Sequence, residues 1–166
     1  CNNYLKSFGI NMAKSVLVTQ GTQYKTSEII HELGLPVFVK PNAGGSSFGI
    51  TKVKFEKEFD AAVKKALEES NEVLVEQFID GKEFTCGLVK LKGEKVVFPV
   101  TEVLPKNDFF DYEAKYTPGV TDEITPARLP EKLFKQCQEL SSKIYDLCQC
   151  SGIVRMDYIL KNQVFY

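Results

Sequence analysis

Residues 83–103 read EFTCGLVKLKGEKVVFPVTEV, two runs rich in β-branched and aromatic residues joined across Lys92-Gly93-Glu94. A glycine-containing connection of this length between two such runs predicts an antiparallel hairpin with arms over 83–91 and 95–103. Just upstream, Asp80-Gly81-Lys82 is a turn signal that separates the hairpin from a further strand over 72–79. Elsewhere along the chain strands and helices do not alternate strictly, as parallel βαβ units would require. The expected class is therefore α+β with antiparallel hairpins.

Moving toward the amino terminus, Pro36-Val37-Phe38-Val39-Lys40-Pro41 is a short strand that its second proline ends, because proline lacks a ladder donor and holds Lys40 extended. Residues 42–49 form a loop, 50–53 alternate as a strand, and 55–69 place Phe59, Ala62, Val63, Ala66 and Leu67 on one helical stripe. Before these, Thr26 or Ser27 caps a helix with Ile29, Ile30 and Leu33 at helical spacing, ending at Gly34, and residues 2–8 are the last turns of a helix stopped by Gly9. Toward the carboxyl terminus, residues 104–128 carry charges, aromatics and prolines without periodicity. A connection of that length predicts a functional loop, a lid. Pro130 opens a helix with Leu133, Cys137, Leu140, Ile144 and Leu147 on one side, closed by Gly152, and 153–160 with 164–166 make a last hairpin. The expected organisation is a helix tail and linker over 1–14, a small lobe over 15–82, and a larger lobe over 83–166 that contains the lid. A cleft between two lobes is the default place for a ligand.

A chain of 166 residues, 43% of them hydrophobic, can bury one core or two small ones without disulfides. The net charge of −1 arises from acids and bases spread evenly, which gives no reason to expect nucleic acid or an anionic membrane as partner. No apolar run is long enough to span a bilayer. Cys1, Cys86, Cys137, Cys148 and Cys150 lack CxxC spacing and His31 is the single histidine, so these read as reduced packing thiols of a cytoplasmic protein rather than as metal ligands. The chain begins at Cys1 and stops in the strand-like stretch 163–166, so both ends read as cuts.

The chemistry concentrates at Lys40-Pro41-Asn42-Ala43-Gly44-Gly45-Ser46-Ser47-Phe48-Gly49. Glycines let backbone N–H groups converge on an anion, serine hydroxyls add donors, and the lysine supplies the charge opposite to a phosphate. This is not a Walker loop, because the lysine precedes the glycines and no helix opens with Gly-Lys-Ser/Thr. By itself a Gly/Ser loop is more often a plain connection.

The loop does not stand alone. The string PVFVKPNAGGSSFGI over 36–50 resembles the phosphate-covering loop of the D-alanine:D-alanine ligases, members of the ATP-grasp superfamily. VLVEQFIDGKEF over 73–84 is similar to that family's adenine and ribose segment, FDYEAKY over 110–116 to its mobile lid, and GIVRMD over 152–157 to its oxyanion and metal segment. Four motifs in the family's order cover nearly the whole chain, and the lid string separates this family from other ATP-grasp enzymes.

The resemblance implies an ATP-grasp fold of two sheet-plus-helix lobes with ATP in the cleft. It implies a reaction in which ATP activates one D-alanine as an acyl phosphate that the amine of a second attacks, giving D-alanyl-D-alanine for peptidoglycan precursors. Lys40, Lys115 and donors from Ser46 and Ser47 would hold phosphate, while Glu76, Gln77, Phe78, Ile79 and Glu83 would hold adenine and ribose. Asp157 would bind Mg²⁺ or Mn²⁺, and Arg155 on the same strand face would stabilise the oxyanion. Ser46 and Tyr116 would orient the first D-alanine and tie down the lid. The whole enzyme is expected to be a cytoplasmic homodimer without nucleic-acid or membrane partners.

Three things that the resemblance implies lie outside the chain: a further nucleotide lysine and an amino-terminal domain before Cys1, and, after Tyr166, an acid and an asparagine of the metal site followed by a glycine-containing loop and helix for the second substrate. The chain alone is therefore expected to bind ATP weakly and make no dipeptide. Taken without the resemblance, Lys115 with Glu113 reads more readily as a solvated loop pair, and Arg155 with Asp157 as a surface ion pair. Two other readings stand beside the ligase. One is another ATP-grasp carboxylate–amine ligase, which would not need the FDYEAKY lid, and the other is a non-catalytic nucleotide-binding module.

Overall fold

The computed structural model describes residues 1–45, 48–105 and 121–166. They fall into two compact units, one of residues 13–79 and one of residues 1–12, 80–105 and 121–166. The chain opens with helix α1 (Asn2–Ser7), which belongs to the second unit.

The first unit runs β1 (Ser15–Thr19), α2 (Thr26–Leu33), β2 (Val37–Pro41), β3 (Thr51–Val53), α3 (Phe59–Leu67) and β4 (Glu72–Gln77). Its strands form an antiparallel sheet in the order β1-β4-β2-β3. Side chains alternate across a strand, so Val37 and Val39 of β2 and Val73 and Val75 of β4 share one face. There they pack with Ile29 and Leu33 of α2 and with Phe59, Ala62, Val63 and Ala66 of α3, all buried, which is the helical stripe expected for α3.

The starts of both helices differ from expectation. Residues Glu56–Glu58 form a 3₁₀ turn before α3, and the Glu58 carboxylate accepts from the Lys54 and Phe55 N–H groups at 3.1 and 3.2 Å. Lys25, not Thr26 or Ser27, is the N-cap of α2, and no side chain caps it. The Thr26 hydroxyl instead donates to Asp60 Oδ1 at 2.9 Å, beside Tyr24 Oη at 3.1 Å, and so ties α2 to the first turn of α3. The capping donor is spent on a tertiary contact.

The second unit continues with β5 (Lys82–Leu91), β6 (Glu94–Val97), β7 (Thr101–Pro105), β8 (Thr121–Ile124), α4 (Glu131–Leu147), β9 (Ile153–Lys161) and β10 (Val164–Phe165). Among the described residues the sheet order is β10-β9-β5-β7-β8, with β6 also on β5. The expected second hairpin arm, 95–103, is thus two strands. Between the pairs Leu88↔Val97 and Thr85↔Thr101, residues Cys86 and Gly87 of β5 face Phe98, Pro99 and Val100, a bulge. Pro99, which has no N–H to give the ladder, accounts for its place.

The expected lid, 104–128, is strand at both ends. Leu104 and Pro105 lie in β7 and pair with Asp122 and Thr121 of β8; residues 106–120, with the FDYEAKY string, lie outside the described residues. Beyond β8 the chain is pinned to β7. The Ala127 N–H donates to Val100 O at 2.7 Å, the Thr101 and Thr125 hydroxyls meet at 2.6 Å, and Arg128 Nε donates to Glu102 Oε2 at 2.7 Å.

Glu102 is only 2% exposed, and the Arg128 guanidinium beside it holds its carboxyl below the ordinary carboxylate range, against the upward pull of burial. A depressed carboxyl adds stability at pH values above its unfolded pKa of about 4.3, and that contribution disappears as pH falls through the lower folded value. Glu102→Gln is therefore expected to flatten the acid limb of the stability profile. In thermal melts from about pH 7 to pH 3, the gap in Tm between the native chain and the variant narrows as pH drops.

Helix α4 buries Cys137, Ser141 and Tyr145, with Leu133, Phe134, Leu140 and Ile144 packed beside the core. The stripe is thus turned from the expected one so that a serine faces inward. Its hydroxyl is satisfied by Cys137 O at 2.9 Å and Tyr158 Oη at 2.8 Å. The helix also ends earlier than Gly152. Gln149, at φ 50°, takes the left-handed position, while the Cys150 N–H reaches Tyr145 O and the Gln149 N–H reaches Asp146 O, both at 3.0 Å, the Schellman pattern. Gly9, as expected, ends α1 in the same way, and α1 joins this unit through Tyr4 Oη to Leu147 O at 2.9 Å. Asn162 and Gln163, both at positive φ, form the two-residue turn between β9 and β10. At the root of β5 a Cβ on Gly81 would stand 2.5 Å from Leu160 O, so only glycine fits there. The five cysteines are free thiols, Cys86 and Cys137 buried in this core. Among the described residues no helix is long and apolar enough to cross a membrane.

Candidate functional site

Each sheet has one face packed on helices and one face turned away from them, and the sequence-predicted charges stand on the latter. In the first unit the alternation that buries Val39 and Val75 puts Lys40 and Glu76 on the open face. Glu76 stands opposite Phe38, one diagonal step from Lys40, and Lys40 Nζ donates to Glu76 Oε2 at 2.6 Å. Both side chains are half-buried. The same region gathers aromatic surface: the Phe38 and Phe78 rings lie 5.9 Å apart and Lys52 Nζ sits 4.0 Å from the Phe78 centroid. Flat apolar rings beside a cation and an acid suit a planar polar ligand.

The segment after β4 is committed in part to the sheet. The Gln77 N–H donates to Lys14 O at 2.9 Å and the Phe78 N–H to Pro36 O at 3.3 Å. These two donors are therefore already used within the unit. Ser46 and Ser47 of the Gly/Ser loop, like Lys115 and Tyr116, lie outside the described residues.

In the second unit Phe84, Cys86 and Leu88 of β5 point to the core, so Glu83, Thr85 and Gly87 take the open face. Antiparallel register with β9 sets Thr85 opposite Asp157 and Gly87 opposite Arg155. Arg155 and Asp157, two residues apart on one face, form a two-pronged ion pair: Nε to Oδ1 at 2.8 Å and Nη2 to Oδ2 at 3.2 Å. The carboxylate raises the Arg155 guanidinium pKa further, chiefly through these hydrogen bonds, with smaller contributions from Glu123 and Glu83. More than half of each side chain is exposed, so the pair contributes only about 0–1 kcal/mol to stability and is readily exchanged for a ligand.

Two features of this face were not anticipated from the sequence. Glu123 of β8 is opposite Val103, which is opposite Glu83, so Glu123 and Glu83 share a row across the sheet. The Phe98 ring packs over Gly87, where a Cβ would stand 3.0 Å from it. The alternation Glu83-Thr85-Gly87 was readable in β5, whereas Glu123 sits in a four-residue strand inside a stretch that reads as loop. For a divalent cation this face offers the hard carboxylate of Asp157, while Glu83 and Glu123 stand in a different row of the sheet. Among the described residues no three acidic, cysteine or histidine side chains converge, so the remaining ligands would have to be phosphate oxygens and water, a set that Mg²⁺ accepts.

Two antiparallel sheets, each backed by helix on one face and charged on the other, define an α+β chain of the ATP-grasp fold. The family model described as "D-ala D-ala ligase C-terminus" matches residues 4–165, and the chain belongs to that family. It is 52% identical over 160 residues to the D-alanine–D-alanine ligase of Phocaeicola vulgatus, covering 96% of this chain and 49% of that protein. It is 45% identical over 156 residues to the ligase of Flavobacterium johnsoniae, covering 94% and 48%. Among solved structures, the D-alanine–D-alanine ligase of Bacillus anthracis superposes with a TM-score of 0.82 at 30% identity, over 99% of this chain and 52% of the other. The VanG D-Ala:D-Ser ligase of Enterococcus faecalis superposes at 0.80 and 35%, over 98% and 48%. The chain spans about half the length of the relatives it matches.

Proposed function

We propose that this chain supplies the ATP-binding portion of a cytoplasmic, homodimeric ligase that makes D-alanyl-D-alanine for peptidoglycan precursors. The observation that carries this reading is the placement of Lys40, Glu76, Arg155 and Asp157 on open sheet faces in two close ion pairs, within a chain 52% identical to such a ligase. In the proposed reaction a carboxylate oxygen of the first D-alanine attacks the γ-phosphorus of ATP and ADP leaves. The amine of the second D-alanine attacks the acyl carbon, loses a proton, and the tetrahedral oxyanion collapses with expulsion of phosphate.

Phosphoryl transfer of this kind needs positive charge around the moving group. Lys40 would supply it from β2 once ATP replaces Glu76 as its partner, with Lys115, Ser46 and Ser47 assigned by motif alone. Glu76 and the 77–79 segment would hold the base and Glu83 the ribose. Mg²⁺, with Asp157 among its ligands, would neutralise phosphate charge. Arg155 would face the oxyanion, and Tyr116 with Ser46 would orient the first D-alanine.

A D-alanine:D-serine ligase is a second reading, favoured by the likeness to VanG at 35% identity. The same residues would act on ATP and the first D-alanine, and the products would differ in the second residue. Titration of the chain with ATP and Mg²⁺ by calorimetry tests the nucleotide assignment. Weak saturable binding is expected, and Lys40→Ala should weaken it on the order of 10- to 100-fold, the worth of one charge-assisted hydrogen bond. Equal binding by both chains would remove Lys40 from the site.

A further inference from the structure

The open face of the second sheet changes character along its strands. Two residues advance a strand by about 7 Å on one face. Strands β5 and β9 therefore present successive rows: Glu83 opposite Ile159, Thr85 opposite Asp157, Gly87 opposite Arg155, and Val89 opposite Ile153. The last row extends to Val96 of β6, which pairs with Val89, and the Phe98 ring borders it from its place over Gly87. Charge thus stops at Arg155 and an apolar row follows, in which Val89 is buried but Ile153 is 78% exposed. Ile153 adds nothing to the unit's own core, which Met156 and Tyr158 fill from the other face of β9.

We propose that this row is the apolar wall that receives the side-chain methyl of the D-alanine being activated, with Ile153 its principal contact and a determinant of specificity for a small side chain. The inference rests on the ligase reading, in which Glu83 holds the ribose, Asp157 stands at the phosphates and Arg155 at the acyl oxyanion. In-line transfer puts the entering carboxylate oxygen opposite the departing ADP. The rest of the amino acid therefore continues away from the ribose and phosphate rows, toward Ile153. Arg155 leans the other way, toward Asp157, with which it shares two hydrogen bonds. The methyl is two carbon–carbon bonds from the acyl carbon, about 2.5 Å, which lies well within the single row step from Arg155 to Ile153. Of the two groups on the α carbon, only the methyl suits this surface. Val89, Val96, Phe98 and Ile153 carry no side-chain acceptor for an ammonium, which would lose its hydration there unpaired.

The test is made in a chimera in which residues 4–165 replace the matching segment of the Phocaeicola vulgatus ligase. A single amino acid is supplied with ATP and Mg²⁺, and hydroxylamine attacks its acyl phosphate to give the hydroxamate and free phosphate, so the second substrate plays no part. Three amino acids are compared: D-alanine, glycine, which has no methyl, and D-2-aminobutyrate, which has one methylene more. Ile153→Ala is expected to lower kcat/KM for D-alanine about three- to tenfold, the worth of one methyl group against an apolar surface, and to leave glycine within about twofold. The preference for D-alanine over D-2-aminobutyrate should shrink by a similar factor, because the shorter side chain makes room for the extra methylene. Ile153→Val should move in the same direction by less. Tm should hardly change in either variant, since the side chain is exposed.

Equal losses on D-alanine and glycine in Ile153→Ala would show that the row does not touch the methyl, and an accompanying fall in Tm would show that protein covers it instead of substrate. Either result overturns the wall and leaves the ligase reading in place, as would unchanged rates with all three amino acids. A folded native chimera that binds ATP yet forms no hydroxamate from D-alanine would overturn the ligase reading, and the wall with it.

Discussion

Arg155→Ala is expected to lower D-alanine-dependent turnover by about 10²- to 10³-fold, the usual loss when one preorganised oxyanion donor is removed. Because the chain spans half the length of its relatives, the measurement is made in a chimera. Residues 4–165 replace the matching segment of the Phocaeicola vulgatus ligase, to which the chain is 52% identical. The loss should fall on kcat and on kcat/KM for D-alanine alike, since the interaction forms only as negative charge develops on the acyl oxygen. Tm should hardly move, because the Arg155–Asp157 pair is exposed and adds little to the folded state. A turnover loss accompanied by a comparable loss of Tm would point instead to a structural role, and unchanged turnover would remove Arg155 from the chemistry.

The second large effect concerns the fold. Phe59→Ala should destabilise the first unit by about 3–5 kcal/mol, the range for deleting a buried aromatic ring. Phe59 is fully buried at the start of α3, against the core-facing valines of the sheet, and meets the Tyr24 ring edge-on at 6.0 Å between centroids. Domain stabilities are typically about 5–15 kcal/mol, so this one ring carries a large share of the unit's margin. Urea unfolding followed by far-UV circular dichroism, with Tyr24→Phe as a variant that keeps the ring, measures it. A midpoint for Phe59→Ala within error of the native chain would show that α3 is not held by this ring.

Much of this architecture was legible because period-2 and period-3.6 patterns are strong where one face is buried. The stripe of Phe59, Ala62, Val63 and Ala66 placed the helical side of the first unit's core correctly, whereas 36–41 reads from sequence only as a short apolar strand, and it is the structure that shows Val37 and Val39 buried with Lys40 on the opposite face. Reading failed where a tertiary contact overrode a local preference. Thr26 gives its hydroxyl to Asp60 rather than to the helix end, Pro99 splits a hairpin arm into two strands, and Ser141 turns inward because Tyr158 and the Cys137 carbonyl satisfy it. Gln149 ends α4 without glycine because two backbone bonds compensate for its positive φ. For the site, local spacing was enough to put Arg155 and Asp157 on one face. Their mutual bonding, and the pairing of Lys40 with Glu76 across β2 and β4, depend on rotamers and cross-strand register that sequence spacing does not carry. Glu123 was invisible for a related reason: it joins the site only through β7–β8 pairing.

The proposed function requires that this chain do the nucleotide work of a D-alanine-joining ligase. The most direct measurement is phosphate release by the folded chimera carrying the native segment, supplied with ATP and Mg²⁺ and either no amino acid, D-alanine, or D-alanine with D-serine. Phosphate release that requires D-alanine and accompanies formation of D-alanyl-D-alanine is the predicted result. A chimera that unfolds cooperatively and binds ATP, yet releases phosphate at the same rate with and without D-alanine, would contradict it.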